Sequence, residues 1–315
     1  MAERRRILFL LLGLAVLAAL FMAWRLGAPY GYIIRIRGIR LGALIATGAA
    51  VGAATVLFQA VTRNRLLTPG IVGFDALFVF VQTGLVFALG ATSVAGLPPM
   101  AKFLAEAAVM AAAATGLFGL LLRRGAEDLL RMVLTGVILG VFLRGLSGLA
   151  ARMLEPSEYA VVQQASAASF GAVDPAQLAI AGIVLLPVLG IALRLAPALD
   201  AAALGRTGAR AVGMDYDRLV LGTLLLVAAL VAVSTALVGP VTFLGLIAAS
   251  LAQAVLPAQR HAALIPAAAL IGAAILVAGQ FVFERVLGLQ STLAVIVEFV
   301  GGLLFLFLVL RRSRP

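Results

Sequence analysis

GIRLGALIATGAAVGAATVLFQA, residues Gly38 to Ala60, carries no charged side chain after Arg40 and is built almost wholly from alanine, glycine, valine and leucine. A helix of that length rises about 30 Å, the thickness of a bilayer's hydrocarbon core, and satisfies its own backbone hydrogen bonds on the way. The stretch reads as a membrane span, and the chain around it repeats the pattern. Apolar windows punctuated by Gly, Pro and charge predict ten spans, at about 7 to 24, 38 to 60, 72 to 90, 99 to 122, 130 to 152, 176 to 195, 218 to 237, 241 to 256, 262 to 283 and 292 to 310. The eighth is short and is expected to be tilted or broken. Over all 315 residues 63% are apolar and 12% charged, against about half and a quarter in a soluble domain. One globule cannot hide that excess, so the expectation is an all-α polytopic membrane protein forming a single domain over 1–315.

Charge fixes the expected orientation. The net charge of +11 could suggest nucleic acid, but the arginines sit at the ends of apolar runs, where membrane topology accounts for them. With ten spans and both termini in the cytoplasm, 16 of the 24 basic residues fall inside, among them Arg4 to Arg6, Arg63, Arg65, Arg206, Arg210, Arg218 and Arg260. Glu3-Arg4-Arg5-Arg6 and the apolar run after it resemble the start of a signal peptide. The run is long for a signal core and leads to no small-residue cleavage site, which favours an uncleaved first helix.

Three segments outside the spans carry charge or polarity. Arg35, Arg37 and Arg40 in YIIRIRGIR lie on the outer side against the usual bias, either as snorkelling side chains or as a docking patch for an acidic partner. The cytoplasmic connector 195–218, LAPALDAAALGRTGARAVGMDYDR, reads as short helices folded on the membrane surface, serving as a solvated link or as a surface that passes force to a cytoplasmic partner. The outward-facing segment 155–175, with Gln163, Gln164, Ser166 and Ser169, is too polar to span and suits a short helix capping a cavity.

The chemistry available is narrow. Without cysteine there are no disulfides or thiolate sites, with His261 as the only histidine no multi-histidine metal centre can form, and no motif of a histidine-containing catalytic pair appears. No phosphate-cradling G-x-x-x-x-G-K-[ST] occurs, and the one lysine, Lys102, sits in PPMAKF. An enzyme is therefore not expected. Ionisable and amide groups within spans, Glu106, Arg144 and Glu298 with Gln59, Gln82, Gln253 and Gln280, are costly in lipid and face protein or water. The glutamines suit hydrogen bonds between helices, whereas Glu298 suits a pathway. Gly42, Gly48, Gly301 and Gly302 lie inside spans as close-packing positions.

Three strings then become recognisable. QAVTRNRLLTPGIVGFDA (Gln59 to Ala76) resembles the turn after the second helix of FecCD-type permeases, which serve iron-siderophore, haem and vitamin B12 importers. VGPVTFLGLIAASLAQ (Val238 to Gln253) resembles that family's glycine-proline and phenylalanine-x-glycine-leucine signature. GQFVFERVLGLQSTLAVIVEFVGGLLFLFLVLRR (Gly279 to Arg312) resembles its last turn and final helix. The resemblance implies a vitamin B12 permease-like fold of about ten helices, an internal repeat relating helices 2 to 5 with 7 to 10, and a bacterial inner-membrane location. It also implies a second permease subunit, identical or related, two ATPase subunits that bind ATP and magnesium, and a periplasmic or lipid-anchored substrate-binding protein. No cofactor is expected on this chain. Arg37, Arg40 and Arg285 match positions that receive acidic residues of the binding protein, with Gly38-Ile39 standing where the family pattern has leucine-proline. Leu204, Gly205, Ala209, Arg210 and Gly213 match the element that couples to the ATPase. Glu298, Gln163, Gln164, Ser166 and Ser169 are the pathway candidates. The expected function is import of a ferric siderophore, closest to the catecholate type. The alternatives are haem or vitamin B12 permeases of the same fold, or a secondary transporter using Glu106 and Glu298 as proton sites.

Overall fold

The computed structural model describes residues 2–25, 28–122, 129–256, 260–286, 288 and 293–312. Thirteen α-helices run through them: α1 (Ala2–Ala23), α2 (Tyr30–Thr62), α3 (Asp75–Leu89), α4 (Ala91–Gly96), α5 (Pro99–Leu122), α6 (Leu129–Ala151), α7 (Pro156–Ser166), α8 (Pro175–Ala202), α9 (Gly205–Ala211), α10 (Tyr216–Val238), α11 (Leu244–Val255), α12 (His261–Phe281) and α13 (Leu293–Arg312). Single π-helical turns lead into α3 (Gly70–Phe74) and extend α12 (Val282–Val286). Among the described residues seven helices are long and apolar enough to cross a membrane. The other three expected spans are also helical, as α5, α11 and α13. The short eighth span is α11, whose 12 residues rise about 18 Å and cannot cross the hydrocarbon alone.

The quoted stretch is the hub. α2 packs against α12, α10, α11 and α8, and small residues let it do so at backbone distance. A Cβ built on Gly48 would sit 2.5 Å from the Ala273 nitrogen, and one on Gly52 or Gly272 would strike the backbone of Ala268 or Gly48. In lipid, where burying apolar surface gains little, such contact is the main source of helix affinity. Thr55, whose hydroxyl returns to the Val51 carbonyl at 2.9 Å, fills the space over Gly245.

The second half of the bundle reuses the plan of the first. α2 lies along α12 as α10 lies along α5, and α3 packs on α6 as α11 packs on α13. Both short-range lead-ins are broken. Before α3, Gly73 takes φ 119° inside the π turn and rests against Gly136 and Gly140 of α6, where a side chain on any of the three would collide. Before α11, residues 239–243 are not helical, and Phe243 presses on Gly301 of α13. Irregular backbone at membrane depth survives only when enclosed by protein. Gly239, Pro240 and Val241 are indeed buried, the Gly239 amide donates to the Thr235 carbonyl, and the Ser169 amide donates to the Val238 carbonyl at 2.7 Å.

Two connectors take definite shape. Residues 156–166 form α7, whose entry is a reciprocal capping box between Glu155 and Glu158. The 195–218 segment divides: its first part is the end of α8, which runs through Pro187 and Pro197 to Ala202, and α9 follows as a separate short helix.

Candidate functional site

Three groups of polar residues sit at the ends and in the interior of the bundle. The first is a corner where the C-terminal end of α1, the early turns of α2 and the end of α12 meet. Trp24 stacks edge-on against Phe281 at 5.5 Å. Arg37 is 5% exposed, because its guanidinium turns inward to donate to the carbonyls of Met22 (2.7 Å), Trp24 (2.8 Å) and Arg25 (3.3 Å). It caps the otherwise unsatisfied end of α1. Arg40, one turn on, pairs with Glu284 at 2.8 Å, and Arg285 approaches the other oxygen of the same carboxylate at 3.4 Å. Gln280 donates to Glu284 as well. Arg40 and Arg285 each keep about a quarter of their side chains exposed, so the patch presents two guanidinium groups sharing one carboxylate. The three arginines singled out in the sequence thus come together, with Arg37 facing the protein and the other two reaching the surface. Glu284, which orders them, has no sequence pattern that would mark it.

The second group is the connector around α9. Gly205 and Gly213 bracket it with φ of +83° and +81°, a left-handed conformation at little cost only to glycine. Asp217 on α10 accepts from Arg206 at 2.8 Å and from Arg210 at 2.7 Å, pinning α9 to the base of α10. Ala209 is fully buried, whereas Leu204 is 66% and Val212 64% exposed. The Gly213 amide closes on Arg210 and the Met214 amide on Ala209. α9 is therefore a small rigid knob with apolar tips turned away from the bundle. Leu204, Gly205, Ala209, Arg210 and Gly213 all belong to it, and Asp217 is the member that the sequence reading missed.

The third group lies beneath α7, over a cavity of about 360 Å³ between α3, α5, α7 and the end of α10. Gln82 and Glu106, both nearly fully buried, are joined by a 2.6 Å hydrogen bond from the amide, and Lys102 lies 3.7 Å from the same carboxylate. Gln164 and Ser169 line this space. Gln163 instead donates to the Tyr159 hydroxyl on α7, and Ser166, whose hydroxyl oxygen is buried, is not among the lining residues. Glu298 is not part of the cavity. It sits on the exposed side of α13, with the Thr242 hydroxyl within reach of its carboxylate and of that of Asp75. Asp75, within the quoted FDA string but not marked as polar machinery, thereby joins Glu298 across the two broken lead-ins. Arg144 of α6 is exposed, and its charge acts on Asp75. The remaining span glutamines find partners: Gln253 donates to Gln59, which donates to the Arg65 carbonyl.

Among the described residues no group of three or more His, Cys, Asp or Glu could hold a metal ion. A helical bundle with two half-bundles of one plan, broken helices at its centre and a rigid knob at one face is the architecture of a membrane permease. Residues 7–311 match the model of the FecCD transport family, and the chain belongs to that family. It is 35% identical over 306 residues to the petrobactin import system permease protein YclO of Bacillus subtilis, covering 97% of both chains. It is 33% identical over 273 residues to the ferric enterobactin transport system permease protein FepD of Escherichia coli, covering 85% of this chain and 78% of that one. Its fold matches a solved metal-chelate type ABC transporter in an inward-facing conformation, with a TM-score of 0.85 at 22% identity over 98% of this chain and 99% of the other. The chain is a multi-pass transport permease.

Proposed function

We propose that this chain is the membrane-spanning permease subunit of an ABC importer that carries a ferric siderophore, of the catecholate type, across the bacterial inner membrane. The observation that carries the reading is end-to-end similarity to a petrobactin import permease, seconded by an enterobactin transport permease. Both termini lie in the cytoplasm, as the distribution of arginine favours. Two ATPase subunits, holding ATP and magnesium, dock beneath the α9 knob. Their closure pushes Leu204 and Val212, and the push reaches α10 through the Asp217 clamp and α8 through the short turn at Ala203. A second permease subunit, a copy or a relative, completes the pathway. A binding protein, periplasmic or lipid-anchored, brings its acidic groups to Arg40 and Arg285. Broken lead-ins at α3 and α11 give the two half-bundles places to shift against each other.

The subunit makes and breaks no covalent bond; it offers alternate access to one substrate. Proteoliposomes containing the chain with its ATPase and binding protein, assayed for uptake of a radiolabelled ferric catecholate siderophore, test the reading. Uptake should need internal ATP and stop with a hydrolysis-deficient ATPase. Uptake driven by a proton gradient in the absence of ATP contradicts it.

A further inference from the structure

Glu284 lies in the π turn Val282–Val286 that extends α12, between a guanidinium from α2 and one from its own turn. Arg40 donates to one oxygen of its carboxylate at 2.8 Å, and Arg285 approaches the other at 3.4 Å. All three side chains are about three-quarters buried. Gln280, one turn back on α12, donates at 3.2 Å to the oxygen that Arg40 uses. The single carboxylate leaves its partners short of acceptors, for the Nε atoms of Arg40 and Arg285 are buried and have no hydrogen-bond partner. Arg37 is close enough for the charges of Arg285 and Glu284 to act on it. Among the described residues, three cations therefore gather about one acid.

An acidic group of a docking partner that reaches Arg40 or Arg285 meets guanidinium groups already engaged. It gains a charge-assisted pair only by taking the place of Glu284, because two carboxylates side by side repel each other. We infer that Glu284 is an internal competitor of the binding protein: it holds Arg40 and Arg285 while the surface is empty, and docking exchanges its carboxylate for the partner's. The inference rests on the docking role proposed for those two arginines, and it adds the residue that sets how readily the partner leaves.

The exchange would be felt beyond the surface. Once displaced, Glu284 no longer ties the π turn to α2, and that turn continues α12, which packs along α2 and meets Trp24 through Phe281. On its other side the Arg40 guanidinium rests beside Gly171, 3.3 Å from where a Cβ would stand, in the connection between α7 and α8. A partner at this corner thus touches both the hub of the bundle and the segment behind α7.

The test measures binding of substrate-loaded binding protein to the complete permease–ATPase complex in nanodiscs by surface plasmon resonance. Glu284→Gln keeps the shape of the side chain and removes its charge. It should bind the partner about two- to fivefold more tightly, the range of a partly exposed ion pair, with most of the gain in slower dissociation. Glu284→Ala should act in the same direction. A gain confined to faster association would report only a changed surface field and overturns the inference. Unchanged or weaker binding overturns it too, and makes Glu284 a scaffold for the arginines. Arg40→Gln with Arg285→Gln, measured in parallel, separates the two readings. If that variant associates like wild type, the docking role falls and the inference with it; if it associates slowly while Glu284→Gln gains nothing, docking stands and the competitor alone is lost.

Discussion

Arg37 and Arg40 are three residues apart on one helix, yet they answer to different demands. Arg37 satisfies three carbonyls at the end of α1. Hydrogen bonds from a charged donor to buried acceptors contribute about 1.5 to 3 kcal/mol each at most, and they are not additive. Arg37→Ala should therefore lower thermal stability in detergent by a total of about 2 to 3 kcal/mol, while leaving affinity for the binding protein near that of wild type. Arg40→Gln with Arg285→Gln should do the reverse. Stability should change little, because both side chains are partly solvated, and association with the binding protein should slow on the order of tenfold at low salt. Stopped-flow or surface-plasmon association rates check this, and unchanged rates across salt would remove the docking role. The sequence shows three basic residues on the unexpected side of the membrane. It cannot show that α1 ends beside one of them, since that depends on how α1 packs against α12.

At the scale of elements, two devices recur: glycine contact between helices and ionic clamps at helix ends. Gly48 and Gly272 meet backbone to backbone, so Gly48→Val must separate α2 from α12. An overpacked contact of this kind costs about 3 kcal/mol, and the expected outcome is loss of the monodisperse peak on gel filtration, with Gly13→Val, which meets nothing within 4 Å, as the neutral comparison. The α9 knob depends on Asp217, which holds Arg206 and Arg210 together. Asp217→Asn should leave the ATPase bound but reduce its stimulation by loaded binding protein about fivefold or more, the range of typical coupling free energies. ATP hydrolysis in the reconstituted complex reads this out, and full stimulation would show that α9 needs no clamp. The connector that holds α9 was legible as short helices on the membrane surface, and Gly205 and Gly213, which bracket α9, were matched to the coupling element. The separation of α9 from α8 was less legible, because LAPALDAA keeps helical periodicity past Arg194 despite Pro197, and the helix continues accordingly to Ala202.

For the molecule as a whole, the apolar windows were enough to place the helices, since lipid leaves the backbone no alternative to internal hydrogen bonding. They were also enough to mark the eighth span as too short. The internal repeat was nearly invisible in the residues and is plain in the packing, where Gly136 and Gly140 meet the lead-in to α3 and Gly301 meets the lead-in to α11. Different side chains meet the same geometric need, so identity between the halves is not required. The polar interior was legible only in part. Glu106, Gln82 and Glu298 stood out because ionisable or amide groups inside spans are costly, but Asp75 lies where a helix start would also place an acid, and nothing local distinguishes the two uses. Under the proposed function, ATP hydrolysed on another chain drives substrate through this one. The most direct measurement is uptake of a ferric catecholate siderophore into proteoliposomes holding the complete complex, compared with a complex carrying a hydrolysis-deficient ATPase. Accumulation should be ATP-dependent in the first complex and absent from the second; equal accumulation in both would rule out coupling to ATP hydrolysis.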